Sequence, residues 1–135
     1  MRKGKRLYAL LKVLMEKNVL ERLLFDFYGE LLTDKQKMIM DYYYNDDYNL
    51  AEIGDVVHVT RQGVYDVVKR SKAQMQAYED KLKLVERFLK SQELIDGVIL
   101  ELEALLKTEL VAEHPALGSE LTAIKEKMNR ISEDY

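Results

Sequence analysis

The side chains best suited to specific chemistry in this 135-residue sequence are gathered between residues 60 and 72. Arginine bridges the O6 and N7 acceptors of guanine, and glutamine pairs similarly with adenine, so Arg61 and Gln62 are suited to reading base edges. The basic side chains that follow suit phosphate groups, which position a protein without reading sequence. The candidate interface residues are Thr60, Arg61, Gln62, Tyr65, Asp66, Lys69, Arg70 and Lys72. Together they favour contact with double-stranded DNA.

Two closely spaced helix starts would position these side chains. Asn49 and Thr60 are strong N-cap residues, and Val59 can pack onto Val64 across the second cap. Their separation of eleven residues leaves room for a helix of two turns, a tight turn and a second helix. This arrangement is the helix-turn-helix unit, and its second helix is predicted to span 61–75.

The same unit needs apolar residues where its helices cross and a small residue at their closest approach. Gly54 is the small residue. Ile53, Val64 and Val67 are predicted to face inward, Val57 to close the first helix and Val59 to fill the turn. His58 occupies the turn position where glycine is common, and histidine tolerates a left-handed backbone at a cost of about 1 kcal/mol. We interpret His58, and His114 beside Pro115, as structural residues in preference to metal ligands or bases.

The fold class predicted for the whole chain is all-α. One proline and six glycines leave little turn chemistry for a β fold, and Thr33 with Gln36 forms a capping box that starts another helix. Three segments are expected: an N-terminal extension over residues 1–18, a helix-turn-helix domain over 19–83 and a C-terminal helical arm over 84–135. Met15 is a possible alternative start.

The C-terminal arm has the spacing of a coiled-coil seam. The seam positions, apolar except for Gln92, alternate three and four residues apart at Val85, Phe88, Gln92, Ile95, Ile99, Leu102 and Leu106. Pro115 is predicted to end this helix and Ser119 to cap a last one. Two alternatives follow, an antiparallel pair within one chain or a homodimer. We favour the homodimer, because two lone helices leave much apolar surface uncovered.

The charge distribution separates the two halves of the chain. The net charge is −3, but residues 91–135 carry four basic and ten acidic side chains, whereas residues 60–76 carry four basic and one acidic. An acidic arm would repel phosphate and direct nucleic acid to the other end of the molecule. Residues 33–83 still carry eight basic and nine acidic side chains, so DNA binding should be modest and sensitive to salt.

Several functional classes are disfavoured by composition. The absence of cysteine excludes disulfides and thiolate metal sites, and a reducing cytoplasm is the simplest location. The basic N-terminus lacks the pattern of a signal peptide, and no run of 18 apolar residues suggests a membrane span. Without a phosphate-binding glycine loop, a nucleophile motif or a ligand cluster, we expect no enzyme, no cofactor and no metal.

Residues 23–84 resemble the YlxM-type family of small helix-turn-helix proteins. The resemblance rests on LFDFY at 24–28, LLTDKQ at 31–36, YYNDDYNL at 43–50, TRQGVYD at 60–66, VKR at 68–70 and YEDKL at 78–82. The chain differs from the usual pattern at Gly54 and Gly63, where alanine is common, and at His58, where glycine is expected. Gly63 inside the second helix should cost up to about 1 kcal/mol relative to alanine.

The resemblance implies a function as well as a fold. The family is similar to region 4 of housekeeping sigma factors, which reads the −35 promoter element, and its genes typically neighbour that of the signal recognition particle GTPase. It therefore implies a DNA-binding transcriptional regulator linked to that pathway. The alternative is a non-catalytic accessory factor of the signal recognition particle that binds protein or RNA.

Overall fold

A computed structural model describes residues 17–133, which form seven α-helices and one 3₁₀ turn and contain no β-strand. The helices are α1 (Lys17–Tyr28), α2 (Asp34–Tyr44), α3 (Leu50–Val57), α4 (Arg61–Leu82), α5 (Leu84–Leu106), α6 (Glu109–Glu113) and α7 (Pro115–Glu133), and the 3₁₀ turn is Gly29–Leu31. This confirms the predicted all-α helix-turn-helix fold. Residues 1–16 of the predicted N-terminal extension, with the alternative start at Met15, lie outside the described residues.

The described chain divides into two compact units, residues 17–85 and residues 86–133. The first unit contains α1 to α4, and the second contains α6, α7 and most of α5. Across residues 17–133, every helix is too short or too polar to cross a bilayer.

The helix starts of the first unit are set by local side-chain caps. The N–H of Thr33 donates to Gln36 Oε1 at 3.0 Å, and the N–H of Gln36 donates to Thr33 Oγ1 at 3.3 Å, which completes the capping box of α2. Asn49 Oδ1 accepts from the N–H of Glu52 at 2.8 Å at the start of α3. Each cap satisfies backbone donors that have no partner within the helix, and all were predicted from the sequence.

The core of the first unit is built from side chains of all four helices. The apolar side chains that are almost completely buried include Tyr28, Ile39, Met40, Ile53, Val64 and Met75. On α4 the inward row continues through Val68 and Ser71 to Glu79, whereas Val67 is half-buried. Two predictions are therefore corrected: Val68 faces the core more fully than Val67, and the helix ends at Leu82 because its buried row continues beyond Met75.

The joint between α4 and α5 is only one residue long. Lys83 adopts a left-handed conformation with φ 58° and ψ 29°, and α5 begins at the next residue. The Tyr28 hydroxyl donates to Glu79 Oε1 at 2.5 Å and accepts from the N–H of Leu84 at 3.2 Å. Glu79 Oε1 also accepts from the N–H of Val85 at 3.0 Å. Two buried side chains thus satisfy the first backbone donors of α5.

The second unit corrects two predicted boundaries. The long helix ends at Leu106, and Pro115 begins α7, where its missing N–H and fixed φ suit the first helical position. Ser119, predicted as a cap, lies inside α7, and its hydroxyl donates to the carbonyl of Pro115 at 3.2 Å. The sequence pattern was ambiguous because proline is common both after a helix and at a helix start.

Helices α5 and α7 meet in antiparallel order within the chain. The Ser132 hydroxyl lies 2.9 Å from Gln92 Oε1, and Lys125 Nζ lies 3.2 Å from Glu103 Oε1. The intramolecular alternative is therefore present in the structure. It leaves large apolar side chains more than one-third exposed at Leu94, Val98, Leu100, Leu105, Leu110, Leu117, Ile124 and Ile131.

Candidate nucleic-acid interface

The turn between α3 and α4 is held by backbone contacts that require a small residue at position 54. His58 adopts the left-handed conformation predicted for it, with φ 58° and ψ 45°. The N–H of Val59 then donates to the carbonyl of Gly54 at 3.0 Å. A Cβ atom at Gly54 would lie 2.5 Å from the carbonyl oxygen of Val59. The backbone of the turn thus lies so close to Gly54 that a Cβ atom there would force Val59 to shift.

Gly63 has a packing role that the sequence did not reveal. A Cβ atom at this position would lie 2.6 Å from Val59 Cγ1 and 3.1 Å from Thr60 Oγ1. Val59 is a β-branched residue with few χ1 rotamers, so it has little freedom to withdraw. Gly63 therefore makes room for the side chain that closes the turn, which offsets its poor helix propensity.

The start of α4 is fixed by Thr60, whose Oγ1 accepts from the N–H of Gly63 at 3.0 Å. Beyond this cap, the side chains of α4 that face solvent include two adjacent rows with i, i+4 spacing. The rows are Arg61, Tyr65 and Lys69 in one, and Gln62, Asp66 and Arg70 in the other, and all six are exposed, as is Thr60. Seven of the eight predicted interface residues therefore share the exposed N-terminal half of one helix.

The Gln62 and Asp66 side chains are already paired with each other. Gln62 Nε2 donates to Asp66 Oδ1 at 3.1 Å across one helical turn. This bond orients the amide and leaves Gln62 Oε1 free to accept, while the carboxylate suits a donor such as cytosine N4. The pair also adds negative charge to the face, which opposes close contact with phosphate.

Lys72, the eighth predicted residue, lies in a different environment. Its ammonium is 3.3 Å from Glu21 Oε2, donates to the Tyr43 hydroxyl at 3.1 Å and lies 4.8 Å from the centroid of that ring. Burial lowers the pKa of Lys72, but the bond to Tyr43 and the charge of Glu21 outweigh it and raise the pKa overall. Lys72 connects α4 to α1 and α2. A phosphate group would therefore compete with Glu21 and Tyr43 for its ammonium group.

The same carboxylate also affects the neighbouring Tyr44. Its hydroxyl lies 3.5 Å from Glu21 Oε2. Burial, and then the negative charge of Glu21, raise the pKa of Tyr44 above its ordinary value. Glu21 was not singled out in the sequence, because it is 51 positions from Lys72 and no local pattern connects them.

The cations of the first unit divide into paired and unpaired sets. Arg22 pairs with Asp47, and the ammonium groups of Lys37 and Lys72 are bound to Glu30 and Glu21. Within residues 19–85, the basic side chains without an ion pair or side-chain hydrogen bond to a described residue are Lys35, Arg61, Lys69, Arg70, Lys81 and Lys83. Three belong to the predicted face of α4, whereas Lys35 on α2 was not predicted.

This arrangement suits hydrogen bonding to a polyanion more than covalent chemistry. The exposed face offers two planar guanidinium groups, an amide, a carboxylate and one ammonium group on one helix, which is the donor and acceptor set used in base and phosphate recognition. Between residues 17 and 133, histidine and carboxylate side chains form no group of three that could hold a metal ion.

Comparison with known proteins agrees with this architecture. Residues 15–113 match the family model UPF0122, described as "Putative helix-turn-helix protein, YlxM / p13 like". A UPF0122 protein of Thermoanaerobacter sp. (strain X514) is 38% identical over 107 residues, covering 79% of this chain and 92% of the relative. A UPF0122 protein of Bacillus thuringiensis (strain Al Hakam) is 38% identical over 118 residues, covering 87% of this chain and 99% of the relative. The resemblance predicted from the sequence is confirmed, and the chain belongs to the UPF0122 family of YlxM/p13-like helix-turn-helix proteins.

Proposed function

We propose that this chain binds double-stranded DNA by placing α4 in the major groove, and that it acts as a transcriptional regulator. The observation that carries the proposal is the exposed N-terminal half of α4, where Arg61, Lys69 and Arg70 have no partner among the described residues. A helix-turn-helix unit presents this part of its second helix to base edges. The caps and the tight turn support the proposal, because they fix the helix before DNA arrives.

Each exposed side chain has a role in this arrangement. Arg61 and Gln62, on the first turn, would contact base edges, and Asp66 would accept from an exposed cytosine amino group. Tyr65 is 46% exposed and offers its ring to a thymine methyl group. Lys69 and Arg70, one turn further from the helix start, would bind phosphate groups.

Loss of two of these cations should weaken DNA binding strongly. We expect the Arg61→Ala, Lys69→Ala double variant to lose about 10- to 100-fold in affinity at 50 mM salt, because it removes one base contact and one phosphate contact. The measurement is fluorescence anisotropy on a duplex first obtained by selection from a random pool. The Lys81→Ala, Lys107→Ala variant is the matched control, since it also removes two exposed cations without side-chain partners among residues 17–133.

A salt titration and a pull-down from a cell extract distinguish the proposal from its alternative. Affinity for duplex DNA should fall steeply as salt rises, because bound cations release condensed counterions. Absence of duplex binding at 50 mM salt would exclude the proposal. Recovery from a cell extract of the signal recognition particle RNA or its GTPase, in place of duplex DNA, would favour the accessory-factor role.

We also propose that the C-terminal arm, residues 84–135, joins two copies of the chain. Leu94 is 72% exposed, and Val98 and Leu105 lie on the same side of α5 at heptad-like spacing. A second copy would cover this apolar row and present two α4 helices to a palindromic site.

The test is sedimentation of the parent and of a Leu94→Glu, Leu105→Glu variant at micromolar concentration. The parent should sediment at twice the 15.8 kDa mass of one chain, and the variant at that mass, because two buried carboxylates oppose association. Leu31→Glu is the control, since Leu31 is 52% exposed but belongs to the first unit. A monomeric parent would refute the proposed dimer but would not contradict the proposed DNA binding.

A further inference from the structure

A shallow cleft of about 310 Å³ lies between the first turn of α2 and the middle of α4. It is open to solvent and is lined by Thr33, Lys35, Gln36, Val67 and Arg70. A side-chain hydrogen bond of 3.2 Å from Gln36 Nε2 to Gln74 Oε1 fixes α2 against α4 at this place. The cleft therefore lies within the first unit, and both of its walls are helices.

The polar groups lining the cleft differ in whether they are already satisfied. The Thr33 hydroxyl and the Gln36 side chain bond to each other as parts of the α2 cap, and the Gln36 amide donates to Gln74. In contrast, the exposed ends of Lys35 and Arg70 have no ion-pair or hydrogen-bond partner among residues 17–133. The unsatisfied groups are thus two cations, and the ligand they suit is an anion.

Lys35 has no evident use in the stability of the fold. It lies in the first turn of α2, where the helix dipole favours a negative side chain and disfavours an ammonium group. Its neighbour in the chain, Lys37, is bound to Glu30, so the surface supplies carboxylates that pair with other lysines. Asp34, the adjacent carboxylate, does not line the cleft. The Lys35 ammonium is therefore available to an anionic ligand.

The cleft adjoins the face proposed to enter the major groove. Arg70 is one helical turn from Asp66 and belongs to the same exposed row of α4, and it also lines the cleft. A DNA strand at the edge of a groove occupied by α4 would continue past this point. Such a strand carries phosphodiester groups, and these anions suit the two cations of the cleft.

We propose that Lys35 and Arg70 form a backbone clamp in this cleft, which binds phosphodiester groups of one DNA strand beside the groove occupied by α4. The clamp rests on the proposed DNA-binding function and extends it from the helix-turn-helix unit onto α2. Phosphate contacts carry no sequence information, so the clamp sets affinity and register, while Arg61 and Gln62 set preference for particular bases.

The test is the salt dependence of binding, measured by anisotropy with the full chain and a labelled 30-base-pair duplex of mixed sequence. Each phosphate contact contributes about 0.9 to the slope of log affinity against log salt. We expect Lys35→Ala to lower this slope by about 0.9 and affinity at 50 mM salt by about three- to tenfold, and Lys35→Ala with Arg70→Ala to lower the slope by about 1.8. The loss should be the same on selected and unselected duplexes.

Control variants separate the clamp from folding and from general charge. Lys35→Arg should keep the parent slope, because it keeps the charge, and Lys81→Ala should also keep it, because Lys81 lies at the far end of α4. An unchanged slope in Lys35→Ala, with weakened binding in the Arg61→Ala, Lys69→Ala variant, would overturn the clamp alone. A parent chain that binds no duplex would overturn the clamp together with the proposed function.

Discussion

Replacing Gly54 with alanine should lower the free energy of unfolding of the first unit by about 2 kcal/mol. The added methyl would meet the carbonyl oxygen of Val59 at 2.5 Å, and a backbone atom in a capped turn cannot move away cheaply. Overpacking of this kind costs up to about 3 kcal/mol. The better helix propensity of alanine returns about 1 kcal/mol. The overpacking cost minus the gain in helix propensity gives the expected net loss of about 2 kcal/mol in the free energy of unfolding.

The chain contains a matched control for this substitution at Gly97, another helical glycine. Nothing lies within 4 Å of a Cβ built there, so Gly97→Ala should raise stability by up to about 1 kcal/mol through helix propensity alone. The measurement is denaturant unfolding followed by circular dichroism, with amide exchange locating the change in α3 and α4. A Gly54→Ala chain as stable as the parent would mean that residues 58–60 shift without cost.

A shift of the turn between α3 and α4 should also move residues of the proposed DNA interface. The Val59 carbonyl immediately precedes Thr60, whose hydroxyl fixes the first turn of α4. Movement of that carbonyl would tilt or loosen the turn that holds Arg61 and Gln62. We therefore expect Gly54→Ala to weaken duplex binding although residue 54 is buried and lies outside the proposed interface.

The features predicted correctly from the sequence are those that depend on residues no more than four or five positions apart in the chain. The caps at Thr33, Asn49 and Thr60 each depend on a side chain and a backbone donor three residues apart. The left-handed residue at His58 follows from the shortness of the turn between two helices. The exposed rows of α4 follow from helical periodicity, because the apolar positions determine which side faces inward.

The features that were missed depend on residues far apart in the chain. Lys72 has the same local context as a phosphate-binding lysine, and only the packing of α1 brings Glu21 to it. Lys35 looks like an ordinary surface lysine until α2 packs against α4 and places it beside Arg70. Gly63 was interpreted by helix propensity alone, because its contact with Val59 exists only when the turn has closed.

Removal of the Tyr28 hydroxyl should strongly destabilise the folded chain. Tyr28 is completely buried, and its hydroxyl lies between Glu79 Oε1 and the N–H of Leu84. Tyr28→Phe would take a hydrogen bond from a buried carboxylate and leave a backbone donor without its partner. A hydrogen bond to a charged group contributes about 1.5–3 kcal/mol, and an unsatisfied donor adds a further penalty. We expect a loss of about 3 kcal/mol in the free energy of unfolding.

The neighbouring Tyr78 provides the control, because its ring lies 6.0 Å from that of Tyr28 and its hydroxyl accepts from Gln74 in a half-buried setting. Tyr78→Phe should cost less than about 1 kcal/mol, since solvent can replace that bond. Glu79→Gln should fall between the two variants, because the amide oxygen still accepts from Tyr28 and from the N–H of Val85 while the charge is lost. Comparison of the free energies of unfolding of the three variants therefore separates the contribution of the Glu79 charge from that of the Tyr28 hydroxyl. Equal losses in Tyr28→Phe and Tyr78→Phe would show that burial of the Tyr28 ring, rather than its hydroxyl, secures the joint between α4 and α5.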